Sequence, residues 1–388
     1  MIPEPHGGRL VDLRASTAEL ERREGELRDL AKVTPFVDQL YDAEKIGIGA
    51  YSPLEGFMDA ATLESVTRSG KLPNGLPWPM PIYFPVPTGA AGRPVEELKG
   101  GDEVAVLDAR GQAVALLRID EKFRLDSAAI ARSAYGTVDP KHPNVADIQR
   151  HGEMAWGGRI TLLRRLDESR QGSEPDPAEM REEFRRRKWE TVAAYQCRNP
   201  PHTAHEYLQR VTLEREEIDG LLIHPVVGRL KKGDYRPEVI LAAYNALVSH
   251  YYPADRVIVR PLGITMRYAG PKAALFLAIV RKNFGCAAYI VGRDQAGVGA
   301  FYEPYACHRI FDEYDIGITP LRYEESFYCR RCGGMASSKT CAHGPEARLD
   351  TSQTRIRTSL AKGDAIPVEL LRPEVAEILR RPDVLLTT

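Results

Sequence analysis

Two rhythms of apolar and polar positions divide the chain. Up to about Leu166 the apolar residues fall in short β-like runs, such as Glu103 to Asp108 and Ala113 to Ile119, punctuated by Gly and Pro. This predicts a mixed, mainly β domain over residues 1–166. A polar stretch, RRLDESRQGSEPDP, follows and ends in a helix start, with Asp176 as N-cap, Pro177 at the first helical position and Glu179 at the third. After about Trp189 the pattern becomes strand, turn, helix, repeated. Strands are expected at Thr191 to Arg198, Leu221 to Val227, Arg256 to Leu262 and Ala287 to Val291, with helices over Glu238 to His250 and Lys272 to Asn283. That alternation predicts a parallel sheet covered by helices, an α/β domain over residues 167–319, whose ligands bind beyond the carboxyl ends of its strands. Residues 320–388 carry a cysteine cluster and a short helical tail, Pro373 to Arg380, and are expected to form a small third domain.

Composition narrows the function. The 388 residues are 43% hydrophobic and 28% charged, with a formal net charge of -1, so neither a disordered tail nor a polycationic nucleic-acid binder is expected, and any anion site must be local. The apolar run Ala274 to Val280, bounded by Lys272 and Arg281, is far shorter than the roughly 20 residues that cross a bilayer. The start MIPEPHGGRL lacks the basic-then-apolar pattern of a secretion signal, and a cytoplasmic location is expected, with no membrane and no nucleic acid as partner. No internal repeat stands out.

Chemistry concentrates at the end of the first expected strand of the sheet, in QCRNPPHTAHE. Gln196 and Arg198 are two apart, so an extended backbone turns both to one face, where an amide donor and a forked guanidinium suit a tetrahedral oxyanion. Asn199 is expected to cap a helix whose first turn holds Pro200 and Pro201. His202 and His205, at i and i+3, then share the anion-favouring face of that turn. Further along, Ala287 to Val291 runs into GRDQAGVG, small residues that let a backbone approach phosphate beside the cationic Arg293.

QCRNPPHTAHE resembles the Q-x-R-N-P-x-H-x-x-H-E signature of the ATP sulfurylases, and GRDQAGVG their G-R-D-H-A-G-x-G motif. PLGITMRYAGPKAA, HGGRLV (His6 to Val11) and YSPLEGFM (Tyr51 to Met58) resemble further segments, so the likeness spans nearly the whole chain. The resemblance implies a PUA-like first domain, a Rossmann-like nucleotidyltransferase domain, and the reversible reaction of sulfate with Mg-bound ATP to adenylyl sulfate (APS) and pyrophosphate. It implies sulfate contact by Gln196, Arg198 and the Ala296 backbone. Nucleotide contact is implied for Gln196, Asn199, His202, His205, Gly292, Arg293, Asp294 and Gln295, with Arg267 near the phosphates and Phe327 beside adenine. It also implies a homo-oligomer, with a dimer expected. Three departures stand out: Cys197 where many relatives carry Thr, Gln295 for the usual His, and Gln353 for Gly in SQTRIR, where a changed loop is expected. Cys197 should face away from Gln196 and Arg198, which argues against a catalytic thiol.

Cys329, Cys332, Cys341 and His343 give a C-x2-C-x8-C-x-H spacing, a closed structural zinc site with His343 as the least secure ligand. Two other readings stay open: a nucleotidyltransferase of the same superfamily with another acceptor, and a zinc-bearing nucleic-acid module, suggested by the cysteines and the basic run Arg185 to Lys188. No G-x-x-x-x-G-K-[ST] loop is found, so no fused kinase is expected.

Overall fold

The computed structural model describes residues 1–387 except 88–89, 92–93, 167–173, 231, 294, 350 and 352. The expected boundary between the first two domains, at residues 166 and 167, therefore falls at the edge of the described residues. Before it lies an eight-stranded sheet whose hub is the long strand Met154–Leu162; this strand pairs antiparallel with Gly56–Phe57, Phe84–Pro85, Ala113–Arg118 and Glu121–Arg124. The β-like runs at 103 and 113 are adjacent strands, paired antiparallel. Five α-helices accompany this sheet, among them Val37–Gly47, which is buried along nearly its whole length and whose charged residues hid its role from a reading of apolar periodicity. The helix start at Asp176 holds a complete capping box before Pro177–Arg186.

The second sheet is all parallel, in the order β3-β2-β1-β4-β5, with β1 Val192–Cys197, β2 Gly220–Pro225, β3 Val257–Val259, β4 Ala288–Val291 and β5 Thr319–Arg322. Strand order reverses between β1 and β4, so the connections that leave these two neighbours diverge and open a crevice at their carboxyl ends. Helix α1 (Thr203–Leu213) leaves β1, α2 (Pro237–Tyr251) follows β2, α3 (Pro271–Asn283) precedes β4 and α4 (Ala306–Glu313) leads to β5. A third, antiparallel sheet of β6 (Ser326–Cys329), β7 (Gly334–Ser337) and β8 (Arg348–Leu349) carries the cysteines, and α5 (Gln353–Lys362) and α6 (Pro373–Leu379) close the chain. Helix α6 packs on α2, and Leu371, Val375 and Leu379 share a core with Ile240 and Tyr244, so the tail is built into the face of the parallel sheet. No helix among the described residues is long and apolar enough to cross a membrane.

The N-terminal sheet and the parallel sheet are joined by one apolar core, which runs from Trp78 and Trp156 through Phe276 to Val192 and Tyr289. Buried charges fix the register of that junction. Arg267, in the loop between β3 and α3, donates from Nη2 to both oxygens of Asp42 at 2.7 and 2.6 Å, and Tyr51 donates to the same carboxylate at 3.2 Å. Nearby, Lys45, wholly buried, holds Glu44 at 2.7 Å and Glu174 at 2.8 Å. His142 and Asn144 then grip the backbone of Tyr268, through its carbonyl at 2.9 Å and its N–H at 2.9 Å. The segments HGGRLV and YSPLEGFM are the other half of the seam: the His6 N–H donates to Asn283 Oδ1, and the Asn283 amide donates to the carbonyls of Ala50 and Ser52.

Removing one member of a buried, hydrogen-bonded ion pair strands the other charge, at a cost of about 3–5 kcal/mol. Asp42→Asn should therefore lower the denaturant midpoint by far more than the paired replacement of Asp42 and Arg267 with Leu and Met, measured by urea unfolding of both variants.

Candidate functional site

A cavity of about 690 Å³ opens at the point where β1 and β4 diverge. Its wall holds Gln196, Arg198, Asn199, His202 and His205 from the β1 end, and Gly292, Arg293, Gln295 and Ala296 from the turn after β4. Phe327 and Arg348 complete it from the third sheet. The structure thus gathers the expected site residues from segments far apart in sequence. Asp294 lies outside the described residues.

Two expectations need correction. Helix α1 begins at Thr203 with His202 at the N-cap, so Asn199, Pro200 and Pro201 precede the helix. Each residue followed by a proline is pushed out of the helical region, so a helix cannot start until the Pro-Pro pair has passed. Asn199 does not cap: its Oδ1 instead accepts from Arg357 of α5 at 3.1 Å. Arg267 does not reach the cavity, because buried Asp42 captures its guanidinium on the opposite side of the loop. Its two neighbours, turned the other way, do the work at the site. Met266 lines the cavity, and the Tyr268 hydroxyl accepts from Arg198 at 2.8 Å while its ring lies 4.8 Å under the guanidinium. Among the described residues no carboxylate neutralises Arg198.

The two histidines stack with ring centroids 3.7 Å apart, and Nδ1 of each is sealed from solvent without a protein partner. Burial pushes His205 down to about 4, and burial with the neighbouring His205 holds His202 well below its ordinary value of 6.5. Both rings are therefore neutral near pH 7 in the empty site and gain a proton favourably only beside an anion. Cys197 is buried and its thiol is pushed up to about 12 by burial, which leaves it protonated and inert. In the turn after β4, Ala296 sits at φ 57°, a left-handed conformation that costs a non-glycine residue about 1 kcal/mol. Arg293 pairs with Glu325 at 2.8 Å, the one carboxylate on the cavity wall among the described residues.

Several contributors were missed by sequence reasoning. Arg348 lies over the Phe327 ring at 4.1 Å, Arg357 holds Asn199, and Tyr289 donates to Gln196 Oε1 at 3.0 Å. Arg357 falls in the SQTRIR segment, where the expected loop is instead the start of α5, which opens at Gln353. Position in that segment was the only available signal for it.

The third sheet brings Cys329, Cys332, Cys341 and His343 together, all four ligand atoms within 4.8 Å of one another. Cys332 and Cys341 sulfurs are 3.7 Å apart, and His343 Nδ1 lies 3.4, 3.3 and 3.6 Å from the three sulfurs in chain order. Metal–sulfur bonds of about 2.3 Å and metal–nitrogen bonds of about 2.05 Å in a tetrahedron require edges of about 3.8 and 3.6 Å, so the set fits a four-coordinate ion with all positions taken by protein.

A family model described as ATP-sulfurylase matches residues 173–382, and one described as a PUA-like domain matches residues 3–165. The chain belongs to the ATP-sulfurylase family. The sulfate adenylyltransferase of Symbiobacterium thermophilum is 46% identical over 382 residues, covering 97% of this chain and 95% of that relative. Those of Staphylothermus marinus and Aeropyrum pernix are 43% and 42% identical, over 98% and 99% of this chain and 98% and 99% of their own lengths. A solved structure named hexameric APS kinase from Thiobacillus denitrificans superposes with a TM-score of 0.74 at 24% identity, over 99% of this chain and 69% of that one, and shares the fold. In this ATP-sulfurylase family member the fold is thus a PUA-like domain joined to a parallel-sheet domain that bears the cavity, followed by the Cys/His cluster.

The buried histidines set a pH dependence. Because their folded pKa values lie below 6.5, the unfolded chain binds protons that the folded chain refuses, and stability must fall as pH drops from about 6.5 towards about 4. Each ring contributes at most about 1.4 kcal/mol per pH unit in that window. Urea midpoints measured across the window should decline less steeply for His202→Gln/His205→Gln than for the parent.

Proposed function

We propose that the chain is a sulfate adenylyltransferase, joining sulfate to the AMP part of ATP with release of pyrophosphate, and running in reverse when APS and pyrophosphate accumulate. The observation that carries this reading is the convergence on one cavity of an oxyanion grip, Gln196 with Arg198, and a phosphate grip, His202 and His205 with the turn after β4. Sulfate is already deprotonated at neutral pH, so no general base is needed; what the reaction needs is position and positive potential. Apart from Glu325, which is engaged with Arg293, the charged groups on the described wall are cationic.

In this reading Gln196, Arg198 and the Ala296 N–H hold sulfate. One of its oxygens attacks the α-phosphorus of Mg-ATP in line; the new bond joins sulfur to phosphorus through that oxygen, and the bond to the β-phosphate oxygen breaks. Asn199, His202, His205 and Arg293 receive the charge that builds on the α-phosphoryl group and on pyrophosphate. Neutral in the empty site, the histidines first donate N–H, and the arriving phosphates favour their protonation. Gly292 and Gln295 form the turn around the nucleotide, Asp294 belongs to the same set, and Phe327 packs on adenine with Arg348 above it. Arg267 acts only through the loop it anchors.

The Cys/His cluster is proposed to hold Zn2+ in a structural role: three thiolates and an imidazole leave no open position for chemistry. A cytoplasmic location fits six cysteines that all remain free of disulfides. A homo-oligomer, proposed to be a dimer, is checked by light scattering of the purified chain.

Purified protein with Mg-ATP and pyrophosphatase should release phosphate only when sulfate is added, and Arg198→Lys should raise the sulfate KM by at least tenfold, the loss of one fork of a charged hydrogen-bonding pair. Unchanged turnover and sulfate affinity in Arg198→Lys would falsify the assignment. Release with an acceptor other than sulfate would point to the other superfamily reaction. For the cluster, Cys341→Ser should lose the metal by elemental analysis and lower the melting temperature. The KM for ATP should rise with it, because β6 and β8 carry Phe327 and Arg348 in the cavity wall.

A further inference from the structure

A glutamine side chain can face a ligand with its carbonyl or with its NH2, and the two choices suit opposite partners. At Gln196 the surroundings leave one choice. The backbone N–H of Gly292 can only donate, and it donates to Gln295 Oε1 at 3.2 Å. The other end of that amide, Nε2, therefore donates to the Tyr289 hydroxyl at 2.7 Å. The hydroxyl has a single proton, and with its oxygen already accepting it passes that proton on to Gln196 Oε1 at 3.0 Å. With its carbonyl occupied, Gln196 presents Nε2, which meets the weakly accepting sulfur of Met266 at 3.9 Å. Each link runs in one direction, and its sense is fixed at the end by a main-chain group that cannot be reversed. Tyr289 is fully buried and is not part of the cavity wall.

We propose that Tyr289 and Gln295 are positioning residues that lock Gln196 in its donor-only orientation, so that this subsite selects a tetrahedral dianion that only accepts hydrogen bonds over one that carries a proton. The inference rests on the reading that Gln196 and Arg198 hold the sulfate of the reaction. Sulfate offers acceptors on every oxygen. Monohydrogen phosphate has nearly the same shape and charge but keeps one O–H, which needs an acceptor. Around Gln196 it meets the guanidinium of Arg198 and the outward NH2, both donors. A hydroxyl left without a partner there should cost about tenfold to a hundredfold in affinity. Both ends of the Gln295 amide are engaged by protein, and its role in the relay is to orient Tyr289.

The test is steady-state kinetics on the full chain, with sulfate and ATP varied separately and inorganic phosphate added as competitor. Tyr289→Phe removes one buried oxygen and frees the amide to turn. The sulfate KM should rise about tenfold while the KM for ATP holds, and inhibition by phosphate should tighten; a general loss of structure would move both KM values and weaken both anions. In a Gln196→Ala background, Tyr289→Phe should add nothing further, as expected when one residue acts only through the other. Gln295→Met keeps the hydroxyl but removes the bond that directs its proton, and should shift selectivity the same way by less; it also serves if Tyr289→Phe fails to fold. An unchanged sulfate KM in Tyr289→Phe, or additive effects in the two backgrounds, overturns the inference alone. Absence of sulfate-dependent pyrophosphate release by the unmodified protein overturns the functional reading and this inference with it.

Discussion

The cavity depends on a pair of charges that never touches it. Arg267 and Asp42 are joined across the seam between the two sheets, and both side chains are buried. In a low-dielectric setting such a pair adds little net stability over an apolar replacement, but it tolerates very little displacement, because either charge alone is costly. That intolerance is what the loop between β3 and α3 uses. With Arg267 fixed inward, Met266 and Tyr268 are directed outward by simple alternation, and His142 and Asn144 clamp the Tyr268 backbone from the N-terminal domain. The PUA-like domain therefore shapes the site without supplying a cavity-wall residue among those described.

Apart from Glu325, which is paired with Arg293, the charged groups on the described cavity wall are cationic. Among the described residues Nδ1 of His202 and of His205 has no partner, Arg198 has no carboxylate, and the amide NH2 of Gln196 meets the weakly accepting sulfur of Met266 at 3.9 Å. Unpaired buried polar groups are costly, and an anion that accepts from the donors on this wall would offset part of that cost. The amides show the same economy. Gln196 and Asn199 have their carbonyl oxygens tied back, one by Tyr289 and the other by Arg357, which leaves donors at the front. A protein with almost no net charge can in this way build a strongly anion-seeking cavity: the potential comes from orientation rather than from accumulated charge.

The last fifth of the chain is woven into the same site. The sheet that carries the Cys/His cluster contributes Phe327 and Arg348, α5 contributes Arg357, and α6 seals the core under α2. A metal on the proposed site would fix four ligand atoms at the edge of a three-stranded sheet and so hold two cavity residues that so small a sheet could not fix by its own packing.

The sequence alone determined those features that follow from neighbours along the chain. The parallel sheet was legible because strand and helix periods alternate cleanly, the capping box at Asp176 because its residues are three apart, and the Cys/His set because C-x2-C is a local geometry. Gln196 and Arg198, His202 and His205 were legible for the same reason. What the sequence could not determine was which way a side chain turns when something distant competes for it. Arg267 reads as an anion ligand until Asp42, 225 residues away, is brought beside it. The side-chain oxygen of Asn199 has no partner assigned along the chain until Arg357, 158 residues away, takes it. The buried helix Val37–Gly47 escaped notice because its charges are neutralised by partners elsewhere in the chain. Local steric rules and periodicity are written in short range, whereas the pairing of a buried charge or the orientation of an amide is settled by whichever partner folding delivers, and only the tertiary structure names that partner.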